Sequence, residues 1–174
     1  MANIARPADK SVPYYPVSSL AGDGWTSDDE ATATCYCGSV QLAFPLKKPG
    51  LVNTFLCHCA DCHKITATMF ATSFTVKNDA IRWLRGKETL TKLAQSKTIP
   101  TGHVMTNHFC PKCGTLMARD SSGFPDVSFL RQGTVDNFSL TDGQMHPELE
   151  IFVKQRADWI KPLPGAKQFE EMWT

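Results

Sequence analysis

Apolar and polar residues alternate along much of this chain with a period of two. In "SVQLAF" the apolar positions are Val40, Leu42 and Phe44, and Pro45 closes the run. Alternation of this kind predicts a half-buried β-strand. The stretch "LVNTFLCHC" is extended in the same way. "MFATSFTV", "AIRWL", "ETLTKLA", "HVMTNHF", "TLMAR", "DVSFLRQG" and "ELEIFVK" follow, each rich in β-branched or aromatic residues and set off by Gly, Pro, Asn or Asp. No long segment carries apolar residues at helical spacing. Short helices are expected only after Cys62 and in the tail "GAKQFEEMW". The predicted fold is mainly β, a single domain built from small packed β-sheets.

The first 31 residues break the pattern. They hold Pro7, Pro13, Pro16, Gly22 and Gly24, then the acidic run Asp28-Asp29-Glu30. Residues 1–31 therefore read as an N-terminal arm, extended or partly ordered, pinned by Tyr14, Tyr15 and Trp25. The domain proper is expected over 32–174. No repeat at solenoid spacing is present.

Composition narrows the function classes. The chain has 174 residues, enough for one ordinary domain with its own core. Its formal charge of +1 gives no electrostatic case for a nucleic-acid partner. No apolar run approaches the roughly 20 residues of a membrane span. The first residues lack the apolar core of a secretory signal. The expected setting is cytoplasmic and reducing, with neither membrane nor nucleic acid as partner.

Seven cysteines fall in C-x-C and C-x-x-C groups. In a reducing compartment that spacing points to metal rather than to disulfides. "CPKCG" (110–114) is a knuckle presenting two sulfurs to one ion, with Gly114 permitting the turn. "CYC" (35–37) would place Cys35 and Cys37 on one side of an extended chain. Two sulfurs from each group complete a tetrahedron, so Cys35, Cys37, Cys110 and Cys113 are assigned to a structural zinc ion. Cys57, Cys59 and Cys62 remain. Three protein ligands and an open position are the pattern of a catalytic zinc. Spacing alone also permits Cys35, Cys37, Cys57 and Cys59 in one site with Cys62 joining the knuckle, or a histidine closing the second site. His58 would point away from the Cys57 face, and His63 is sterically awkward beside Cys62. His103 and His108 lie on opposite faces of the strand entering the knuckle, so one of them can approach a metal.

Taken together, "CYCGSVQLAF", "CHCADCHK", "FCPKCGT" and "IFVKQRADWIKPLPGAKQFEEM" resemble the glutathione-dependent formaldehyde-activating enzyme and centromere protein V family, over about residues 32–172. Where many relatives continue the second motif with Ser-Gly, this chain has the bulkier "ITATMF". The resemblance implies a zinc-stabilised all-β fold with two zinc ions. Carried over by motif, Cys35, Cys37, Cys110 and Cys113 hold the structural ion, and Cys57, Cys59 and Cys62 hold the catalytic ion that bears substrate.

Three thiolates donate strongly, so a zinc ion they hold suits a substrate thiolate better than hydroxide. The expected function is a zinc-dependent carbon–sulfur lyase or thiol-adduct-forming enzyme. Its small-molecule substrate would be glutathione or a related thiol conjugate with a carbonyl compound. His58, His103 and His108 are the candidate proton carriers. Lys64, Arg82, Arg85 and Arg119 are candidates to meet substrate carboxylates, while Asp61 is expected to bond backbone. One alternative is a lyase or isomerase acting on a larger apolar carbonyl or phenolic metabolite without glutathione, in keeping with Trp83, Phe124 and the "ITATMF" segment. Another is a non-catalytic zinc-stabilised binding domain. The arm has three candidate roles: covering the site, mediating a homodimer, or staying disordered.

Overall fold

A computed structural model describes residues 20–173; Tyr14 and Tyr15 lie outside the described residues. In chain order the strands are β1 (Glu30–Thr34), β2 (Gln41–Pro45), β3 (Leu51–Cys57), β4 (Ala71–Lys77), β5 (Arg82–Arg85), β6 (Thr91–Gln95), β7 (Met105–Phe109), β8 (Leu116–Ser121), β9 (Val127–Arg131), β10 (Leu149–Ile151) and β11 (Lys167–Phe169). The α-helix α1 (Ala60–Thr66) joins β3 to β4. The mainly β expectation holds, and each of the nine quoted runs contains a strand.

The strands form two sheets. One has three strands in the order β1-β2-β5; the other has eight, ordered β11-β10-β3-β4-β9-β8-β7-β6. The sheets are thus unequal, and only the first is small. Alternation decides what each face of the large sheet buries. Phe74, Val76, Ala118 and Leu130 face the small sheet and meet Ala31, Ala33, Leu42 and Phe44 in the main core. Phe44 and Phe74 are fully buried with ring centroids 4.6 Å apart. Such a pair adds about 0.5–1.5 kcal/mol beyond the area it buries. A bridge between Ala33 and Val135 joins β1 to the segment after β9.

The opposite face of the large sheet is mixed. At one end Phe55, Phe129 and Ile151 pack beneath Phe169, Met172 and Trp173 of the tail. Further along, cross-strand pairing lines up Ser73, Arg131, Phe129, Arg119 and Asn107 on one face. Charged residues at inward positions of β-strands need a reason, and α1 lies close to supplying one.

One expectation needs correction. The tail "GAKQFEEMW" forms no α-helix. Lys167–Phe169 pairs in parallel with β10, which offers an open edge beyond β3. β1 starts at Glu30, and the Thr32 amide and hydroxyl both donate to the Trp25 carbonyl, at 3.1 and 3.2 Å. Trp25 pins the described end of the arm, as expected, but through its backbone.

Candidate metal centres

The first cluster is built from two glycine turns. After β1 the chain turns at Cys35–Gly38, closed by the Gly38 amide donating to the Cys35 carbonyl at 2.9 Å. Gly38 has φ 77°, the left-handed region that glycine adopts without strain. Cys35 and Cys37 therefore converge through a turn, where the sequence suggested an extended chain. The knuckle repeats the device: the Gly114 amide donates to the Cys110 carbonyl at 2.9 Å, with Gly114 at φ 74°. The Tyr36 amide donates to Thr115 Oγ1 at 3.2 Å and holds the turns together.

The four sulfurs lie within 4.8 Å of one another. Cys35–Cys37 and Cys37–Cys110 Sγ distances are 3.6 and 3.7 Å. The edge of a tetrahedron with zinc–sulfur bonds of about 2.3 Å is about 3.8 Å, so the spacing fits zinc. The Val40 amide donates to Cys35 Sγ at 3.2 Å, which tempers thiolate basicity. Burial pushes Cys35 up to about 12. Burial also works against ionisation of Cys113, but bonds from the Thr115 hydroxyl and amide outweigh it and bring Cys113 to about 6. Cys35, Cys110, Val40, Leu90 and Met117 form a third apolar cluster around this centre.

The second cluster sits where β3 becomes α1. Cys57 ends the strand. Cys59 is the N-cap of the helix, and its Sγ accepts from the Cys62 amide at 3.3 Å. The Cys59 amide in turn approaches Cys57 Sγ at 3.5 Å. The three sulfurs again lie within 4.8 Å of one another. Among the described residues no histidine or carboxylate joins either group within that distance. The four-plus-three grouping expected from spacing is therefore the grouping in space, and the crossed partitions are not.

Charge around the trio is asymmetric. Thiol hydrogen bonds from Cys57 and Cys59 hold Cys62 well below its ordinary range against burial, aided by the charges of Arg131 and Arg119. Cys57 is pushed far up, because it donates to Cys59 and Cys62 and is buried. At Cys59 the bond from Cys57 acts downward, but Cys62 and burial outweigh it and raise the thiol to about 11. Metal ligation requires thiolates, so an arriving ion displaces the thiol protons of the cluster.

Arg119 and Arg131 are 5% and 7% exposed. Arg119 Nη2 bonds to Asp61 Oδ2, and its Nη1 lies 3.9 Å from Cys62 Sγ. Arg131 Nη1 donates to Ser73 Oγ at 2.8 Å. Asp61 bonds side chains, Arg119 and the Thr98 hydroxyl at 2.8 Å. Its expected backbone bond gives way to a clasp that fixes the first turn of α1 on the sheet. Arg131 was not anticipated, although an arginine two positions after Phe129 in an alternating strand carried the signal.

The other candidates are dispersed. His58 is fully buried, and its Nε2 contacts Glu150 Oε1 at 2.8 Å. Glu150 also accepts from Arg156 Nη1 and from the Leu163 amide, both at 3.0 Å. His108 contacts Asp120 at 2.6 Å, on the face of β7 opposite Asn107. His103 lies in the loop before β7, against Gly123. Arg82 pairs with Glu30 and Arg85 with Asp23, both on the small sheet. Lys64 is exposed on α1. Of the cationic candidates, Arg119 is the one that reaches the trio.

No helix among the described residues is long and apolar enough to cross a membrane. A family model described as glutathione-dependent formaldehyde-activating enzyme matches residues 30–155. A solved Rhodobacter sphaeroides protein shares 21% sequence identity over 59% of this chain and 85% of its own, with a TM-score of 0.47. No curated protein matches significantly.

Proposed function

The chain belongs to the glutathione-dependent formaldehyde-activating enzyme family, and from that premise we propose that it is a zinc-dependent carbon–sulfur lyase or thiol-adduct-forming enzyme. Its substrate is glutathione or a related thiol, joined to or released from a small carbonyl compound. One observation carries the reading: three converging sulfurs that no fourth metal-ligating side chain joins among the described residues. Four sulfurs at tetrahedral spacing form the companion centre, which we assign to structure.

Cys57, Cys59 and Cys62 would hold the catalytic zinc, which supplies affinity for a thiol in its thiolate form. The protein's own part is orientation. The amides of Cys59 and Cys62 steady two of the sulfurs, and the Asp61–Arg119 clasp fixes the helix turn that carries the third. Buried Arg119 and Arg131 bring positive charge to a cluster that binds as thiolates. His58, held by Glu150, sets the strand end next to Cys57; in this arrangement it is a positioning residue. Zinc-loaded protein incubated with glutathione and formaldehyde should accelerate adduct formation or its reverse. Rates equal to the uncatalysed exchange would refute the proposal.

A second substrate class has specific support. Met69 and Phe70, between α1 and β4, are 42% and 37% exposed, and Phe124, edge-on to Phe129 at 6.3 Å, is 47% exposed. Ala71, next after Phe70, pairs with Cys57. These apolar groups beside the trio suit a larger hydrophobic carbonyl compound. Stabilisation against heat by such compounds, and not by glutathione, would select this class.

A further inference from the structure

Eight buried side-chain nitrogen or oxygen atoms lack a hydrogen-bond partner among the described residues. Four of them, Asn107 Oδ1, Arg119 Nε, Arg131 Nε and Arg131 Nη2, belong to three residues on one face of the large sheet. An unpaired buried donor costs about 1–3 kcal/mol, and more when charged. Concentrating four such atoms on one sheet face, with Arg119 reaching Cys62, is a large cost unless something binds there. The atoms specify the occupant: three cationic N–H donors want an anionic oxygen, and one amide oxygen wants a donor.

We propose that Arg119, Arg131 and Asn107 form an oxyanion subsite for the oxygen on the carbon that the substrate sulfur attacks or leaves. The inference rests on the thiol–carbonyl reading above. In the forward step the thiolate sulfur adds to the carbonyl carbon. The C–S bond forms, the C=O π bond breaks, and its electron pair moves to oxygen. The alkoxide accepts hydrogen bonds from the guanidinium N–H groups, which stay protonated. It then takes a proton from water, and the resulting hydroxyl donates to Asn107 Oδ1. Cleavage runs the same changes backwards. Arg119 Nη1 is 3.9 Å from Cys62 Sγ, so an oxygen two or three bonds from a sulfur bound beside Cys62 falls within reach. Preorganised donors aimed at such a charge stabilise it strongly.

Two thiols with oxygen at the same remove from sulfur test the subsite without turnover. Mercaptoacetate ends in a carboxylate and 2-mercaptoethanol in a hydroxyl. Calorimetric titration of the zinc-loaded full chain should show mercaptoacetate binding about ten-fold tighter or better. Arg131→Met should erase that preference while two zinc ions per chain are retained. Arg131→Lys should restore only part of it, because an ammonium keeps the charge but not the fork. Asn107→Leu leaves both charges in place and should weaken 2-mercaptoethanol alone, widening the ratio. That variant decides the question if Arg131→Met loses metal. Equal binding of the two thiols by the wild type, or a ratio unmoved in Arg131→Met and in Asn107→Leu, overturns the subsite. Turnover with glutathione and formaldehyde but no preference would remove the subsite and leave the enzyme. A preference without that turnover would keep the subsite and remove the assigned reaction.

Discussion

At the scale of single residues, the seven cysteines divide by what surrounds them. Cys110 sits in an apolar cluster and joins sulfurs 75 and 73 residues earlier in the chain, at Cys35 and Cys37. Binding energy at such a centre is folding energy. Cys110→Ser should therefore lower the melting temperature by about 10 °C or more. Cys62→Ser should leave a folded protein that binds one zinc ion and has lost thiol-dependent activity. Thermal melting and metal counting on both variants check the division; equal collapse would contradict it. The sulfurs were legible because ligand spacing is local. Arg131 was not, because its role depends on β9 lying beside β4, a pairing that joins residues far apart in sequence.

Elements show where local pattern suffices and where it fails. Alternation located β2 through β10, and the short helix expected after Cys62 formed, but from Ala60, so that it takes in Cys62 itself. It misread "GAKQFEEMW", since only an available β10 edge turns three residues into a strand. The segment between β10 and β11 is anchored by Glu150. Burial alone would raise that carboxyl, yet the Leu163 amide, His58 and Arg156 together hold it below the ordinary range. A depressed acid stabilises the fold above its unfolded pKa and ceases to as pH falls through the folded value. Glu150→Gln should therefore cost about 1.5–3 kcal/mol at pH 7. The gap from wild type should shrink as pH drops below about 4. Denaturant midpoints of the two proteins across that range provide the check; a gap independent of pH would show that charge at Glu150 contributes nothing.

Across the whole molecule, one sheet does two jobs. Its inner face closes the main core against the small sheet, and its outer face carries the arginine row beneath the three-cysteine turn. The four-sulfur centre locks β1 and β2 to the β7–β8 hairpin, well apart in sequence from the trio between β3 and α1. On the proposed reading, one metal holds the scaffold while the other meets substrate. X-ray absorption at the zinc edge, on protein carrying two zinc ions, tests this most directly. The account predicts an average of about three and a half sulfurs per zinc before substrate, rising to about four when a thiol is added. An average already at four protein donors, unchanged by thiol, would contradict it.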